Sequence, residues 1–208
     1  MPSIDYINFE ELLGLIARHT SLAGRFMVAI CGPPGSGKST IAGLLVARLG
    51  HCAKVVPMDG FHLDNRQLNN LDLLHRKGAP ETFDAYGFLE LIKDIRTTEN
   101  LSFPVFDRDA DQTIMDADNL GPEHKIIIIE GNYLLLKKYP WSDLKDEFDL
   151  SVCLEVSDIE LEKRLTDRWI AHGLDPISAS ARALSNDMTN VRYVKKHSIL
   201  PDYIVAQI

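Results

Sequence analysis

Residues 25–40 read RFMVAICGPPGSGKST. The first seven are apolar apart from Arg25 and suit a buried strand ending at Gly32. Residues 32–40, GPPGSGKST, satisfy G-x-x-x-x-G-K-[ST] at Gly32, Gly37, Lys38 and Ser39. Ile41, Leu44, Leu45 and Leu49 then recur at helical spacing. A glycine-rich turn between strand and helix has a physical use. Its glycines, Gly32, Gly35 and Gly37, let successive backbone N–H groups curl around one anion. The helix behind it adds the partial positive charge of its first turn. Lys38 offers a full charge to a polyphosphate, and Ser39 a hydroxyl to its Mg²⁺. Pro33 and Pro34 remove two donors and stiffen the approach, while Ser36 and Thr40 complete the run. A flexible Gly/Pro turn has the same composition but needs no strand before it and no helix after it.

Outward from this stretch, strand and helix patterns alternate. KVVPM (54–58), KIIIIEG (125–131), LSVCLEV (150–156) and YIVAQI (203–208) read as strands. Four successive isoleucines imply burial on both faces. Helical stripes are carried by Phe9, Leu12, Leu13 and Ile16, by Phe88, Leu91, Ile92 and Ile95, by Asp158–Ala171, and by Ile177, Ala181, Leu184, Met188 and Val191. Residues 62–83 are polar and irregular, with a short helix expected around Gln67–Leu74. LSFPVF (101–106) reads as an edge or partial strand, because Pro104 cannot donate to a ladder. Residues 107–124 read as a polar stretch rich in Asp and Gly. The pattern predicts an α/β fold with a mainly parallel sheet and helices on both faces. Ligands in such sheets bind beyond the carboxyl ends of the strands.

Composition sets the outer bounds. A chain of 208 residues with 45% apolar and 25% charged residues can bury its own core, and residues 1–208 are read as a single domain. That excludes a disordered chain, a coiled coil and a collagen-like repeat. The net charge of −8 argues against a nonspecific nucleic-acid or anionic-membrane partner. Cys31, Cys52 and Cys153 are odd in number and lack C-x-x-C spacing, which suits free thiols in a reducing cytoplasm. There is no apolar run of about 18 residues. The opening MPSIDYINFEELLG lacks the basic and apolar regions of a secretory signal, so a cytoplasmic location is expected. The seven histidines show no metal-ligand spacing. A small-molecule partner remains, and a homodimer is allowed.

Two carboxylates follow strands. Asp59 ends KVVPM, where it can take a proton from a hydroxyl or hold Mg²⁺ through water, or simply serve the Asp-Gly turn. Glu130 ends the isoleucine run, where an ionised side chain is costly without a partner; Mg²⁺ on a nucleotide is one partner, solvent another. D-x-x-G occurs at Asp118–Gly121, but it precedes the strand and falls in a predicted loop, and N-K-x-D is absent, which argues against a GTPase switch. Arg164 and Arg168 lie four apart on a predicted helix, facing either a polyphosphate or, with Glu160, solvent. Gly173 and Pro176 break the helices after them, as in a hinged lid.

In their order, GPPGSGKST, MDGFH (58–62), RKGAPETFD (76–84), PVFDR (104–108), IIIIEGNYLL (126–135) and RLTDRW (164–169) resemble the uridine kinase, phosphoribulokinase and bacterial pantothenate kinase group of P-loop kinases. The resemblance spans roughly residues 25–206 and is nearest the subgroup labelled fructose transport system kinase. It implies a three-layer P-loop NTPase fold with a small helical lid at about 164–185, and ATP and Mg²⁺ as cofactors. It implies ATP-dependent phosphorylation of a small-molecule hydroxyl. Asp59 becomes the base, Lys38 and Arg168 stabilise the phosphoryl group, Arg164 joins the ATP site, and Ser39 and Glu130 hold Mg²⁺. His62, Lys77, Phe83, Asp84, Arg108 and Tyr133 become acceptor-side candidates. For several of these a structural reading stands alongside: Asp84 as a helix cap, Phe83 as core, Tyr133 as packing, His62 as a turn residue. Trp141 and Trp169 read as packing residues. The carboxylates of DRDAD (107–111) suit a polyol, which favours a sugar acceptor; a nucleoside or a pantothenate-like acid is the alternative. A regulatory ATP-binding protein without transfer activity is the alternative of another class, and it would not need Asp59.

Overall fold

Four isoleucines in a row need apolar neighbours on both faces, and the sheet supplies them. The computed structural model describes residues 4–20 and 24–206. The chain runs through β1 (Asp5–Tyr6), α1 (Phe9–Ala17), β2 (Phe26–Cys31), α2 (Lys38–Leu49), β3 (Ala53–Pro57), α3 (Asn65–Asn70) and α4 (Ala85–Asp94). It continues with β4 (Leu101–Asp107), β5 (Gln112–Leu120), β6 (Ile126–Gly131), β7 (Leu150–Glu155), α5 (Asp158–Ala171), α6 (Pro176–Arg182), α7 (Met188–His197) and β8 (Tyr203–Ala206). Six strands form one sheet in the order β1-β8-β7-β2-β6-β3. Every pairing in it is parallel. All of β6 is buried between β2 and β3.

Strand side chains alternate faces, and two cores result. Val28, Ile30, Ile126 and Ile128 pack with Leu12, Ile16, Ala42 and Leu45 of α1 and α2. Met27, Ala29, Ile127 and Ile129 pack with Phe88 and Ile92 of α4, and with Phe103, Tyr133 and Trp141. A third, smaller cluster joins Leu161 and Leu165 of α5 to Ala183, Met188 and Val191. Among the described residues, no helix is long and apolar enough to cross a membrane.

The register sets the site. Glu130 pairs with Ile30 on one side and Pro57 on the other, so the carboxyl ends of β2, β3 and β6 are level. The phosphate loop leaves β2, and Met58–Phe61 leaves β3 as a single 3₁₀ turn. Gly60 of that turn packs on β4: a Cβ there would stand 2.1 Å from the Pro104 carbonyl oxygen. Backbone on both sides leaves no flexible neighbour to yield. Gly60→Ala should therefore cost about 1–3 kcal/mol, as overpacking does. It should lower the thermal midpoint; an unchanged midpoint would show that the turn slides freely on β4.

Several expectations are corrected here. LSFPVF is an edge strand, as expected, but it lies outside the main sheet. It is β4, paired antiparallel with β5 in a separate two-stranded sheet, and the register shifts at Pro104 between Phe103 and Val105. The polar stretch 107–124 contains β5, which is mostly exposed and so shows no apolar alternation; backbone pairing, not burial, holds it. Asp118–Gly121 therefore lies at the end of a strand rather than in a loop, and Asp118 pairs with Lys54 at 2.6 Å. β1 has only two residues, too few to show a pattern. The stripe from Ile177 to Val191 is divided by a π-helical turn, Ala183–Asp187, between α6 and α7. The helix expected near Gln67–Leu74 is α3 followed by a 3₁₀ turn, Leu74–Arg76. Gln207 and Ile208, read as part of the last strand, lie outside the described residues, as do the first three of the opening stretch.

Candidate active site

The level strand ends open into a cavity of about 1060 Å³. Its floor carries Pro34, Gly35, Gly37, Lys38, Ser39, Thr40, Asp59 and Glu130. Gly37 is the N-cap of α2 with φ of 89°, a left-handed conformation that glycine adopts freely, and no side chain caps the helix. The first-turn N–H groups of α2 are thus left for an anion. Gly35 also has positive φ, 80°, and lies against Leu165 of α5. Gly32, Pro33 and Ser36 are buried and do not line the cavity; they shape the loop from below.

Lys38 is buried and folds back over its own loop. Its Nζ donates to the Pro33 carbonyl at 3.0 Å and to Ser36 Oγ at 3.4 Å. Burial pushes its ammonium pKa down, while Glu130 and Asp59 hold it up. Glu130 is also buried, and burial, then the Asp59 charge, pushes its carboxyl pKa up against the pull of Lys38. Ser39 Oγ donates to Glu130 Oε1 at 3.0 Å. A hydroxyl and one carboxylate, both hard oxygen donors, fit Mg²⁺, which takes few protein ligands and keeps several waters.

Asp59 is half-buried on the Met58–Phe61 turn, where its Oδ2 accepts from the Arg108 guanidinium at 2.8 Å. Arg108 comes from the β4–β5 connection, so the small sheet closes over β3's end. His62 Nδ1 lies 2.8 Å from the Asp59 carbonyl, which can only accept, so Nδ1 carries the proton. The ring lies between Phe83 and Phe106, with centroids 4.0 and 4.6 Å away. Burial pushes the His62 pKa below its ordinary 6.5. As pH falls, the unfolded ring takes its proton first. The stability from this group is thus full above about pH 6.5 and is lost as pH drops through the lowered folded value. His62→Phe should flatten that acid-side decline of the thermal midpoint; an identical slope in both proteins would refute the assignment.

Lys77 bridges Asn65 Oδ1 and Asp111 Oδ1, each at 2.7 Å, and lies 5.1 Å from the Phe106 ring centroid. Arg168 of α5 reaches the cavity wall and meets Asp187 Oδ2 at 3.3 Å. Arg164, one turn earlier, pairs with Glu160 at 2.7 Å and approaches the Gly35 carbonyl at 3.5 Å, touching the phosphate loop without lining the cavity.

The structure thus brings Lys38, Ser39, Asp59, Glu130, His62, Lys77, Phe83, Arg108 and Arg168 to one cavity. Phe83 serves both as core and as wall. Two acceptor-side expectations are corrected. Asp84 is exposed, away from the cavity, and caps α4 by accepting from the Gly87 N–H at 2.9 Å. Tyr133 is fully buried beneath the cavity, packed on Phe83 and Trp141, with its hydroxyl donating to the Gly78 carbonyl. Conversely, Asn132, Arg182, Asp187 and Asn190 line the cavity without having been singled out in the sequence, as do Asn69, Asp72, His75 and His172. Trp169, read as packing, is on the wall too. Only Asn132 carried a signal, its place two residues beyond Glu130.

A family model described as an AAA domain matches residues 28–175, from β2 to the N-cap of α6. A protein of Schizosaccharomyces pombe, provisionally named a uridine kinase, is 34% identical over 218 residues, covering 98% of this chain and 92% of its own. A crystal structure of a provisionally assigned fructose transport system kinase from Silicibacter sp. TM1040 superposes with a TM-score of 0.90 at 44% identity, covering 95% of this chain and 98% of that one. A pantothenate kinase of Mycobacteroides abscessus is 28% identical over 152 residues, 70% of this chain and 49% of the relative.

Proposed function

Since this chain belongs to the uridine kinase, phosphoribulokinase and pantothenate kinase group of P-loop kinases, we propose that it transfers the γ-phosphoryl group of ATP to a hydroxyl of a small molecule, with a sugar as acceptor. The observation that carries this reading is the position of Asp59. It stands at the mouth of the phosphate loop, in the same cavity as Lys38, Ser39 and Glu130. A protein that only sensed the nucleotide would have no use for a base there.

The residues divide by role. The α2 N-terminus and Lys38 take the β- and γ-phosphates. Ser39 and Glu130 would hold Mg²⁺, whose charge offsets that of the polyphosphate when bound. Asp59, steadied by Arg108, accepts the proton of the attacking hydroxyl. Lys38 and Arg168 stabilise charge growing on the transferred group, with Arg164 beside the loop. His62, Lys77, Phe83 and Arg108 frame the acceptor. The cavity lining also includes Asp72, Asp111, Asn132 and Asn190, and the rings of Phe83 and Phe106. A cavity lined by carboxylates, amides and aromatic rings suits a polyol, which supports the sugar reading together with the name of the Silicibacter relative.

The test is Mg²⁺-dependent ADP release from ATP against a panel of sugars, nucleosides and pantothenate. Release that requires a sugar supports the proposal. Release with nucleosides or pantothenate alone replaces the acceptor class. ATP binding without acceptor-dependent release across the panel favours a regulatory protein.

A further inference from the structure

Arg168 is a long side chain on a cavity wall, and what aims it is unusual. Asp187 Oδ2 meets its guanidinium at 3.3 Å and accepts the Trp169 indole N–H at 2.6 Å. The Trp169 ring lies 5.4 Å from the Arg168 guanidinium and 5.1 Å from that of Arg182. Asp187 is only 7% exposed. A carboxylate so buried is costly unless it is paired.

Its backbone position is also uncommon. Asp187 ends the π-helical turn Ala183–Asp187, a geometry that is rare and often found at functional sites. The preceding residue, Asn186, is buried as well, and its amide donates to the Lys77 carbonyl at 2.9 Å. One turn therefore holds the lid helix α5 through Asp187 and the acceptor-side loop through Asn186. Slack in either contact would let the arginine swing.

We propose that Asp187 is a positioning residue that holds Arg168 toward the γ-phosphate, with the π-helical turn anchoring it to the acceptor-side loop. The inference rests on the phosphoryl-transfer reading. It requires that Asp187 act only through Arg168, so its effect must fall on the γ-phosphate and not on nucleotide binding at large.

The test needs no acceptor. Calorimetry gives the ratio of Mg·AMP-PNP to Mg·ADP affinity in the wild type, Arg168→Ala, Asp187→Asn and the double variant. Arg168→Ala should lower the ratio by about tenfold, the scale of a charge-assisted phosphate contact. Asp187→Asn should lower it in the same direction, and the double variant no further than Arg168→Ala. An unchanged ratio in Arg168→Ala removes Arg168 from the γ-phosphate, and with it both the transfer role and this proposal. A loss in Arg168→Ala with none in Asp187→Asn overturns the proposal alone. So does a higher ratio in Asp187→Asn, which would mark Asp187 as a competitor for the arginine. An equal loss of both affinities marks a structural role and overturns it too. Should Asp187→Asn not fold, Asp187→Glu decides: displacing the carboxylate by one methylene should give an intermediate ratio, and a wild-type ratio overturns positioning.

Discussion

Asp59→Asn is expected to lower turnover by about 10²–10⁴-fold, the usual contribution of a positioned general base, while Mg·ATP affinity holds. The substitution is nearly isosteric. The Arg108 guanidinium now at 2.8 Å can still donate to the amide oxygen, so the Met58–Phe61 turn keeps its shape. What is lost is the capacity to accept a proton. The measurement is acceptor-dependent ADP release beside a nucleotide titration of the same preparation. Undiminished turnover would exclude Asp59 as the base.

The second large expected effect is that of Lys38→Ala, which should lower kcat/KM by about 10²–10³-fold, as loss of a single preorganised charge donor does. Lys38 Nζ sits over the loop, held by the Pro33 carbonyl and Ser36 Oγ, so its charge is in place before substrate arrives. Truncation also leaves the buried Glu130 carboxyl without the ammonium that now lowers its pKa. The loss should therefore fall on the γ-phosphate and on Mg²⁺ dependence together. Full activity would mean that the α2 N-terminus alone suffices.

How much of this was legible in the sequence depends on how local the cause is. The loop at 32–40 was, because glycine, lysine and hydroxyl at fixed spacing have one shared use. So was β6, since four isoleucines admit little but a central strand. β5 was not: its residues are mostly exposed, and the pairing that makes it a strand lies in β4. Asp84 and Tyr133 illustrate the opposite error. Both sit in motifs that border the site, yet one caps a helix and the other fills space beneath the cavity. Asp187 belongs to no motif and gains its partners, Arg168 and Trp169, only when α5 and the π-helical turn come together. Contacts of this kind are set by tertiary packing, which spacing along the chain does not encode.

Among the described residues, the β4–β5 sheet makes no strand pairing with the six-stranded sheet. Its connection brings Arg108 to Asp59 and Asp111 to Lys77. On the proposed reading, part of the acceptor side is carried by this hairpin, while the phosphate loop stays on the six-stranded sheet. If that reading holds, changes in the hairpin should alter which molecule is accepted more than they alter how phosphate is held. Exchanging residues 101–120 between relatives, with Phe103 and Leu120 kept for the core they share with the main sheet, should then move acceptor preference while Mg·ATP affinity holds.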